Sequence, residues 1–588
     1  MTFEADENPH SDLLSAYDLL MAELAASPDD ASLKHRAVLM LARSGAIEHA
    51  QREFTRLGLD GVHNDEKILS LGGRLLKDLA LSAPAGSRER KRFSRLSAAK
   101  YDKAYAIRGD SYPGINTATM RLIGGEPAKS AKLADVIVEK LLVGRGKAGK
   151  SAEDRYFHAA TVAEAMLLLS RTADAEAALR TAIAADPKNF ANHAATLRQL
   201  EIISAALALD DFWLDSHRPP PALFYCGHMI AADADAAVLK ELDDRIAQAL
   251  SRIRPASGFG ALAAGSDIMV AEALLKRRAE LHVVLPMREE DFIERSLKPF
   301  GDGWLKRFHA CRVRATSFRF ATFEKYLGEE NVFAFGAEFA MGLAIRQAEM
   351  LRTRAEHLAL WDGVDSSAPG GTAVDVRRWK ASGRGQTIVQ FPKELRKKKN
   401  VIDQAKGDVA RTLKAMIFAD IRGFSKLEET QVRAFVYEVL RPIAQQVKSL
   451  AGQPVQTATW GDGIHMVFDH VEDAAEASLQ ALAKCEQIDF VGHGLPDHLA
   501  IRIGAHFGPV TEVTDPFTAK QNFFGTHINI AARIEPVALP GTVYVSEPFA
   551  ALLALRAPGK YRTDYVGLTE LPKKFGTMRL FVLRPAAQ

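Results

Sequence analysis

The 588-residue chain reads as a multidomain protein: an α-helical repeat region, then a doubly wound α/β domain, then an α+β domain. Three observations carry this. Apolar residues recur at helical spacing from residue 11 to about 210. Strand and helix patterns alternate from about 211 to 390. Beyond a basic stretch, long helices are interleaved with alternating strands and a tight hairpin. The expected units are 1–210, 211–390, a linker at 391–410, and 411–588, since a chain this long exceeds a single core.

Composition narrows the function classes. With 47% hydrophobic and 25% charged residues the chain has the balance of soluble domains. A net charge of +3 makes no case for nucleic acid or an anionic membrane as partner. Cys226, Cys311 and Cys485 stand far apart, which excludes a disulfide framework or a cysteine zinc site. The start, Met1–Glu7, is acidic where a signal peptide is basic, and no apolar run reaches the roughly 18 residues of a membrane span. The expected compartment is the cytoplasm.

In the first region Leu13, Tyr17, Leu20 and Leu24 share one helical face, and Pro28-Asp29-Asp30 ends that helix. Small residues at Ala37, Ala42 and Gly45, and again at Ala173 and Ala177–Ala184, mark helix pairs in units of roughly 34 residues. The pattern resembles tetratricopeptide repeats, which implies a protein partner. Tyr101–Ala106, Asp110–Met120 and Ala131–Val136 further resemble the TRAF-binding domain of apoptosis-signal-regulating MAP kinase kinase kinases and its bacterial relatives. Gly144–Ser151 satisfies the P-loop pattern, but the preceding residues form a helical stripe where a phosphate-binding loop needs a strand, so the expectation is a basic turn.

In the middle region Leu223–His228, Leu281–Pro286 and Glu356–Trp361 read as strands, with helices over Ala236–Ile253, from Gly258–Asp267 through Leu275, and over Ala337–Ala348. Ligands in such folds bind at strand ends, on glycine turns and helix N-termini. Gly227, Gly265, Asp267, Gly370, Gly371 and Thr372 occupy such places. Together they resemble the SLOG superfamily, which implies a site for a nucleotide-derived ligand. Hydrolysis of an N-glycosidic bond there would need a carboxylate, for which Asp267 and Glu272 are the candidates. Lys393–Asn400 then forms a basic linker.

The last region starts with an apolar run, Met416–Ala419, that ends in Asp420 and is followed by Gly423. Such a run suits a buried strand delivering one acidic side chain to its end. Gly461-Asp462-Gly463 joins two strand patterns as a hairpin turn. If those strands are neighbours, Asp420 and Asp462 meet, and two close carboxylates call for a cation. A helix is expected from about Glu428 to Leu450, and Asn529 and Arg533 share one face of a later helix.

Phe418–Ser425, Gly461-Asp462, Arg502–Val510 and Gly525–Arg533, in this order, resemble the catalytic domain of class III nucleotide cyclases. The resemblance implies a ferredoxin-like α+β fold and conversion of a nucleoside triphosphate to a 3′,5′-cyclic nucleotide. It also implies two Mg²⁺ or Mn²⁺ ions held by Asp420, Asp462 and the Ile421 carbonyl. Asn529 would orient the ribose and Arg533 would stabilise charge on the α-phosphate. The family divides these residues between protomers, which implies a head-to-tail homodimer. Adenylate-specific members carry Lys and Asp where this chain has Ala458 and Asn522. ATP is the first expectation, with GTP or a pyrimidine nucleotide open beside it. Trp460 either joins the core or lines the base pocket, and His465 and His506 are expected as ordinary strand histidines. The reading is a signalling cyclase; a scaffold that binds nucleotide without turning it over stands as the alternative.

Overall fold

The computed structural model describes residues 13–143, 151–231, 233–395 and 411–586. The P-loop-like segment is outside these residues apart from Ser151, and the linker is outside them beyond Leu395. The helix before the P-loop-like segment, Pro127–Val143, is confirmed. Ser151 caps the next helix through a reciprocal pairing with Asp154.

From Leu13 to Leu207 the described chain is helical. Asp30 starts the helix Ala31–Arg43 by accepting from the backbone N–H groups of Ser32 and Leu33 at 2.8 and 3.0 Å. Helices Glu66–Ser82 and Arg88–Arg108 pack closely because Gly73 lies under the Tyr101 ring, where a Cβ would sit 2.8 Å from it. Among the described residues, no helix is long and apolar enough to cross a membrane.

The middle unit holds six strands: β1 (Ala222–Gly227), β2 (Ser257–Gly260), β3 (Glu280–Leu285), β4 (Ser317–Phe320), β5 (Ala355–Trp361) and β6 (Gly385–Gln390). They lie in the order β4-β3-β2-β1-β5-β6, all parallel. Leu223 and Tyr225 of β1 face helices Ala236–Ile253 and Ser266–Lys276, while Ala222 and Phe224 face Asn331–Met350 and Trp379. The expected helix opening at Gly258 is corrected: Ser257–Gly260 is strand β2. Its glycines let it pass beneath Leu274 and Tyr225, and the helix begins only at Ser266.

The C-terminal unit holds β7 (Arg411–Arg422), β8 (Gln456–Trp460), β9 (Gly463–Phe468), β10 (Ala500–Thr514), β11 (Gln521–Phe524), β12 (Thr542–Ser546), β13 (Tyr561–Glu570) and β14 (Thr577–Pro585). The sheet runs β13-β14-β12-β10-β7-β9-β8, with β11 folded back on the end of β10. Ile417, Ala419, Ile421, Ile501 and Ile503 pack under helices Arg441–Lys448, Val471–Glu486 and Glu547–Arg556. The opposite face carries the helix Thr526–Ile534 and leaves Trp460 exposed. The helix expected over Glu428–Leu450 runs through a π-helical turn at Phe435–Leu440. Pro442 cannot donate to the ordinary ladder, which accounts for the altered pairing there.

The three units are fused through one apolar core that includes Tyr17 and Val38, Phe224 and Phe339, and Ile417 and Phe549. Helix Asn331–Met350 crosses helix Glu547–Arg556 at Gly342, where a Cβ would fall 2.1 Å from the Ala551 carbonyl oxygen. Beside that crossing the buried Glu338 accepts from Arg556 Nε at 2.9 Å and pairs with Arg378 at 2.9 Å. The first helix joins through Asp18, which accepts from the Tyr565 hydroxyl at 2.6 Å and the Leu568 N–H at 3.1 Å. Gly342→Val overpacks the crossing and should cost about 1–3 kcal/mol. Calorimetry of the wild type is expected to show one transition that splits or falls in the variant; an unchanged trace contradicts this packing.

Candidate active site

Strand register builds the acidic site. Asp420, two residues from the end of β7, lies directly opposite Arg502 of β10, and its neighbour Ala419 lies opposite Ile464 of β9. The turn joining β8 to β9 therefore brings Asp462 to the same end of β7. Gly461 makes the turn with φ +65°, a conformation that a side chain disfavours.

The Asp462 carboxyl lies against that of Asp420 and accepts from the Ile421 N–H. Burial, then the neighbouring Asp420, raises its pKa to about 6. Asp420 Oδ2 accepts from Arg502 Nη2 at 2.8 Å. Arg502 Nε also stands 2.5 Å from Glu535 Oε1, a charge contact whose angle misses a hydrogen bond. Burial raises the Glu535 pKa to about 7, with Arg502 opposing and Asp420 and Asp462 adding to the rise. Glu535 escaped the sequence reading, although it follows Arg533 by two residues; its role emerges only once Gly504 lets that chain segment approach β10.

Two carboxyl groups that meet under partial burial form an oxygen donor set suited to a divalent cation. Among the described residues no group of three or more His, Cys, Asp or Glu has metal-ligand geometry. The expected set remains the carboxyl pair with the Ile421 carbonyl.

Helix Thr526–Ile534 lies on the same sheet face as Asp420, with His527 over Gly508 and the following Glu535 over Gly504. Asn529 is exposed, and Arg533 is half-buried with its Nε lacking any partner. Among the described residues no hydrogen bond or ion pair joins either one to the carboxyl pair.

The expected base pocket is rearranged. Ala458, His465 and Phe418 form one cross-strand row, and the Phe418 and His465 rings stack at 4.4 Å. Trp460 is 59% exposed, which removes it from the core. Asn522 does not turn to Ala458: its Oδ1 accepts from Gln456 Nε2 at 2.6 Å, and its Nδ2 donates to Asp515 at 2.9 Å. Gln456 Oε1 is buried without a partner. Gln456 was missed, though strand alternation puts it on the face of Ala458. His506 is fully enclosed, bonded to Ser546 Oγ and His527 Nδ1 at 2.7 Å each.

In the middle unit, Gly227 and Gly265 close against Ser266 and Ile230, with no room for a Cβ at either. Asp267, at the same strand end, accepts from the Ala263 N–H through Oδ2 at 3.3 Å. Burial raises its pKa to about 7, and its Oδ1 has no partner. Gly370, Gly371 and Thr372 lead into helix Thr372–Ala381. That helix carries Asp375, raised to about 8 by burial and likewise unpartnered at Oδ1. Both acids raise the Cys226 thiol, after burial, so they converge on the end of β1. Asp375 was missed, although it sits one turn beyond Thr372. Glu272 is corrected as a catalytic candidate: Arg307 clamps its carboxylate at 2.9 and 2.6 Å on the protein surface.

A family model described as the adenylate and guanylate cyclase catalytic domain matches residues 411–585. Residues 411–585 are a domain of this cyclase family. A second model, Tetratricopeptide Repeats-Sensor, matches residues 12–121, so a sensor-type helical repeat domain precedes the cyclase domain. The chain is 32% identical over 152 residues to a putative adenylate cyclase 3 of Rhizobium meliloti, spanning 24% of each. It is 29% identical over 174 residues to guanylate cyclase 2G of Rattus norvegicus, spanning 27% of this chain and 15% of that one. The chain thus spans about a quarter or less of these relatives' length. Among solved structures, the guanylate cyclase domain of RhGC from Catenaria anguillulae, in complex with GTP, is 21% identical. It covers 30% of this chain and 97% of that chain, with a TM-score of 0.26.

The carboxyl pair of the cyclase domain has a titration signature. Without metal, the ¹³C resonance of the Asp462 carboxyl should titrate near pH 6, and Asp420→Asn should lower that midpoint by removing the like charge. A midpoint near 4 in the wild type, or one unmoved by the substitution, contradicts the arrangement. Protons and cations compete for these oxygens, so metal affinity should rise with pH up to about 6 and level off above it.

Proposed function

We propose that the chain is a regulated nucleotide cyclase for intracellular signalling, converting a nucleoside triphosphate to a 3′,5′-cyclic nucleotide and pyrophosphate. The observation that carries this reading is the meeting of Asp420 and Asp462 on the sheet face that also bears Asn529 and Arg533. Asp420, Asp462 and the Ile421 carbonyl would hold two Mg²⁺ or Mn²⁺ ions. Bound there, the ions supply a lowered pKa for the ribose 3′-hydroxyl and charge neutralisation for the departing pyrophosphate.

The chain's own groups do the rest. Arg502 donates to one oxygen of Asp420 at 2.8 Å and so fixes the direction of its carboxyl group. Asn529 orients the ribose through its amide. Arg533 has an unpartnered Nε to place on the α-phosphate, where a planar guanidinium suits developing charge. Among the described residues no hydrogen bond or ion pair joins Asn529 or Arg533 to the carboxyl pair of their own chain, which supports a head-to-tail homodimer with each site shared between two copies. Base choice falls to the Gln456–Asn522 amide pair, since Ala458 offers no polar group. ATP is the best single substrate, with GTP or a pyrimidine nucleotide as the alternative. The unpartnered oxygens of Asp267 and Asp375 favour a second, sensory role, in which the middle unit binds a nucleotide-derived ligand at the end of β1.

Purified full chain with Mn²⁺ and each of the four triphosphates should yield cyclic product from at least one, and Asp462→Ala should abolish it. No product from any would leave a nucleotide-binding scaffold as the reading. Mixing inactive Asp462→Ala with inactive Arg533→Ala should restore roughly a quarter of wild-type activity, since half the dimers are mixed and each of these holds one intact site. A mixture as inactive as its parts contradicts the shared site.

A further inference from the structure

A cavity of about 440 Å³ lies where the three units meet, a size in the small-molecule range. Its walls come from the N-terminal helices, from helix Asn331–Met350, and from helix Glu547–Arg556 with β13. Eight of its lining residues are arginines, against three Asp or Glu.

Most of these guanidiniums are already answered. Arg74 and Arg198 share Asp78 at 3.7 and 3.8 Å. Others meet the carboxylates of Asp18, Glu201, Glu547 and Asp564. Arg43 and Arg346 differ: among the described residues, neither has a carboxylate at ion-pair distance. Arg43 comes from the N-terminal unit, and its buried Nε has no partner. Arg346 comes from the middle unit, donates to Thr563 Oγ1 of β13 and lies 4.3 Å over the Phe581 ring. Burial lowers the pKa of both, and the nearby Arg74 lowers that of Arg43 further. Glu349, Glu547 and Asp564 act on Arg346 from a distance and Glu153 acts on Arg43, but Glu349 is itself raised by burial, and Glu547 and Asp564 are already paired with Arg319 and Arg562.

Enclosed guanidiniums whose counter-charges stand beyond ion-pair distance are costly, and a bound anion offsets that cost. Guanidinium forks match phosphate oxygens in pairs, and separated forks suit several phosphates on one molecule. Phe259, Leu343 and Leu553 add an apolar wall for an organic portion.

We propose that this junction is a binding site for a small molecule bearing two or more phosphate groups, gripped by Arg43 from the N-terminal unit and Arg346 from the middle unit. The ligand touches all three units, so its occupancy favours their assembled packing and reaches the cyclase domain through helix Glu547–Arg556. Binding here is independent of turnover at Asp420 and Asp462.

Thermal unfolding of the full chain in EDTA, with sodium tripolyphosphate as probe and orthophosphate as control, tests the site. Tripolyphosphate should raise the melting temperature saturably, with orthophosphate at least tenfold weaker. Arg43→Gln and Arg346→Gln should each weaken tripolyphosphate at least tenfold, while Arg533→Gln, in the proposed catalytic site, leaves its affinity unchanged. Without ligand, Arg43→Gln should melt at or above the wild-type temperature, because an unanswered charge is gone. If either glutamine variant fails to fold, the matching Arg→Lys carries the reading, with weakened but measurable binding. Tighter binding of a nucleoside triphosphate than of tripolyphosphate, still lost in Arg346→Gln, assigns the apolar wall to a nucleoside. No saturable shift in the wild type, an equal shift in the Arg43 and Arg346 variants, or a shift lost with Arg533→Gln overturns the proposal.

Discussion

The close approach of Asp420 and Asp462 is the constraint around which the cyclase domain is arranged. Two carboxyl groups held together under partial burial oppose each other's ionisation. The fold holds them there from both sides: β-register fixes Asp420 beside β9, and the glycine-led turn fixes Asp462. Arg502 and the Ile421 N–H offset part of the repulsion, while Glu535 adds to it. Side chains that served stability alone would not be gathered this way. The proposed cation site gives this gathering a purpose, and the exposed Asn529 and the half-buried Arg533 are the groups proposed to meet the substrate beside it.

The second property is mechanical. A chain of separate input and output modules would keep separate cores, whereas here one apolar core runs through all three units. The glycine crossing at Gly342, the buried Glu338 between two arginines, and Asp18 against β13 make the joints close and polar-specific. Close-packed contacts such as the Gly342 crossing transmit displacement from one unit to the next. A displacement in the helical or middle unit therefore has a direct route to the sheet that carries Asp420.

How much was legible in the sequence follows from the range of each interaction. The apolar run into Asp420, the Gly-Asp-Gly turn and the i, i+4 spacing of Asn529 and Arg533 are local, and local chemistry reads well from one chain. Gln456, Glu535 and Asp375 were missed because each takes its meaning from a partner set by tertiary register: Asn522, Arg502 and the end of β1. Ser257–Gly260 was read as a helix start because glycines carry no periodicity; their use, passing beneath Tyr225 and Leu274, appears only in three dimensions. Glu272 looked like a free carboxylate until Arg307, 35 residues on, closed over it. The fusion of the units was illegible, because the buried faces of Gly342 and Asp18 carry no mark in sequence of what covers them.

Electron paramagnetic resonance of Mn²⁺ titrated into the full chain bears most directly on the carboxyl pair. At pH 7.5 the wild type should quench the free-ion signal saturably. That binding should vanish in Asp420→Ala and fade as the pH drops through about 6, where Asp462 takes up its proton. Equal binding by wild type and Asp420→Ala, or none by either, would show that the pair is not a cation site.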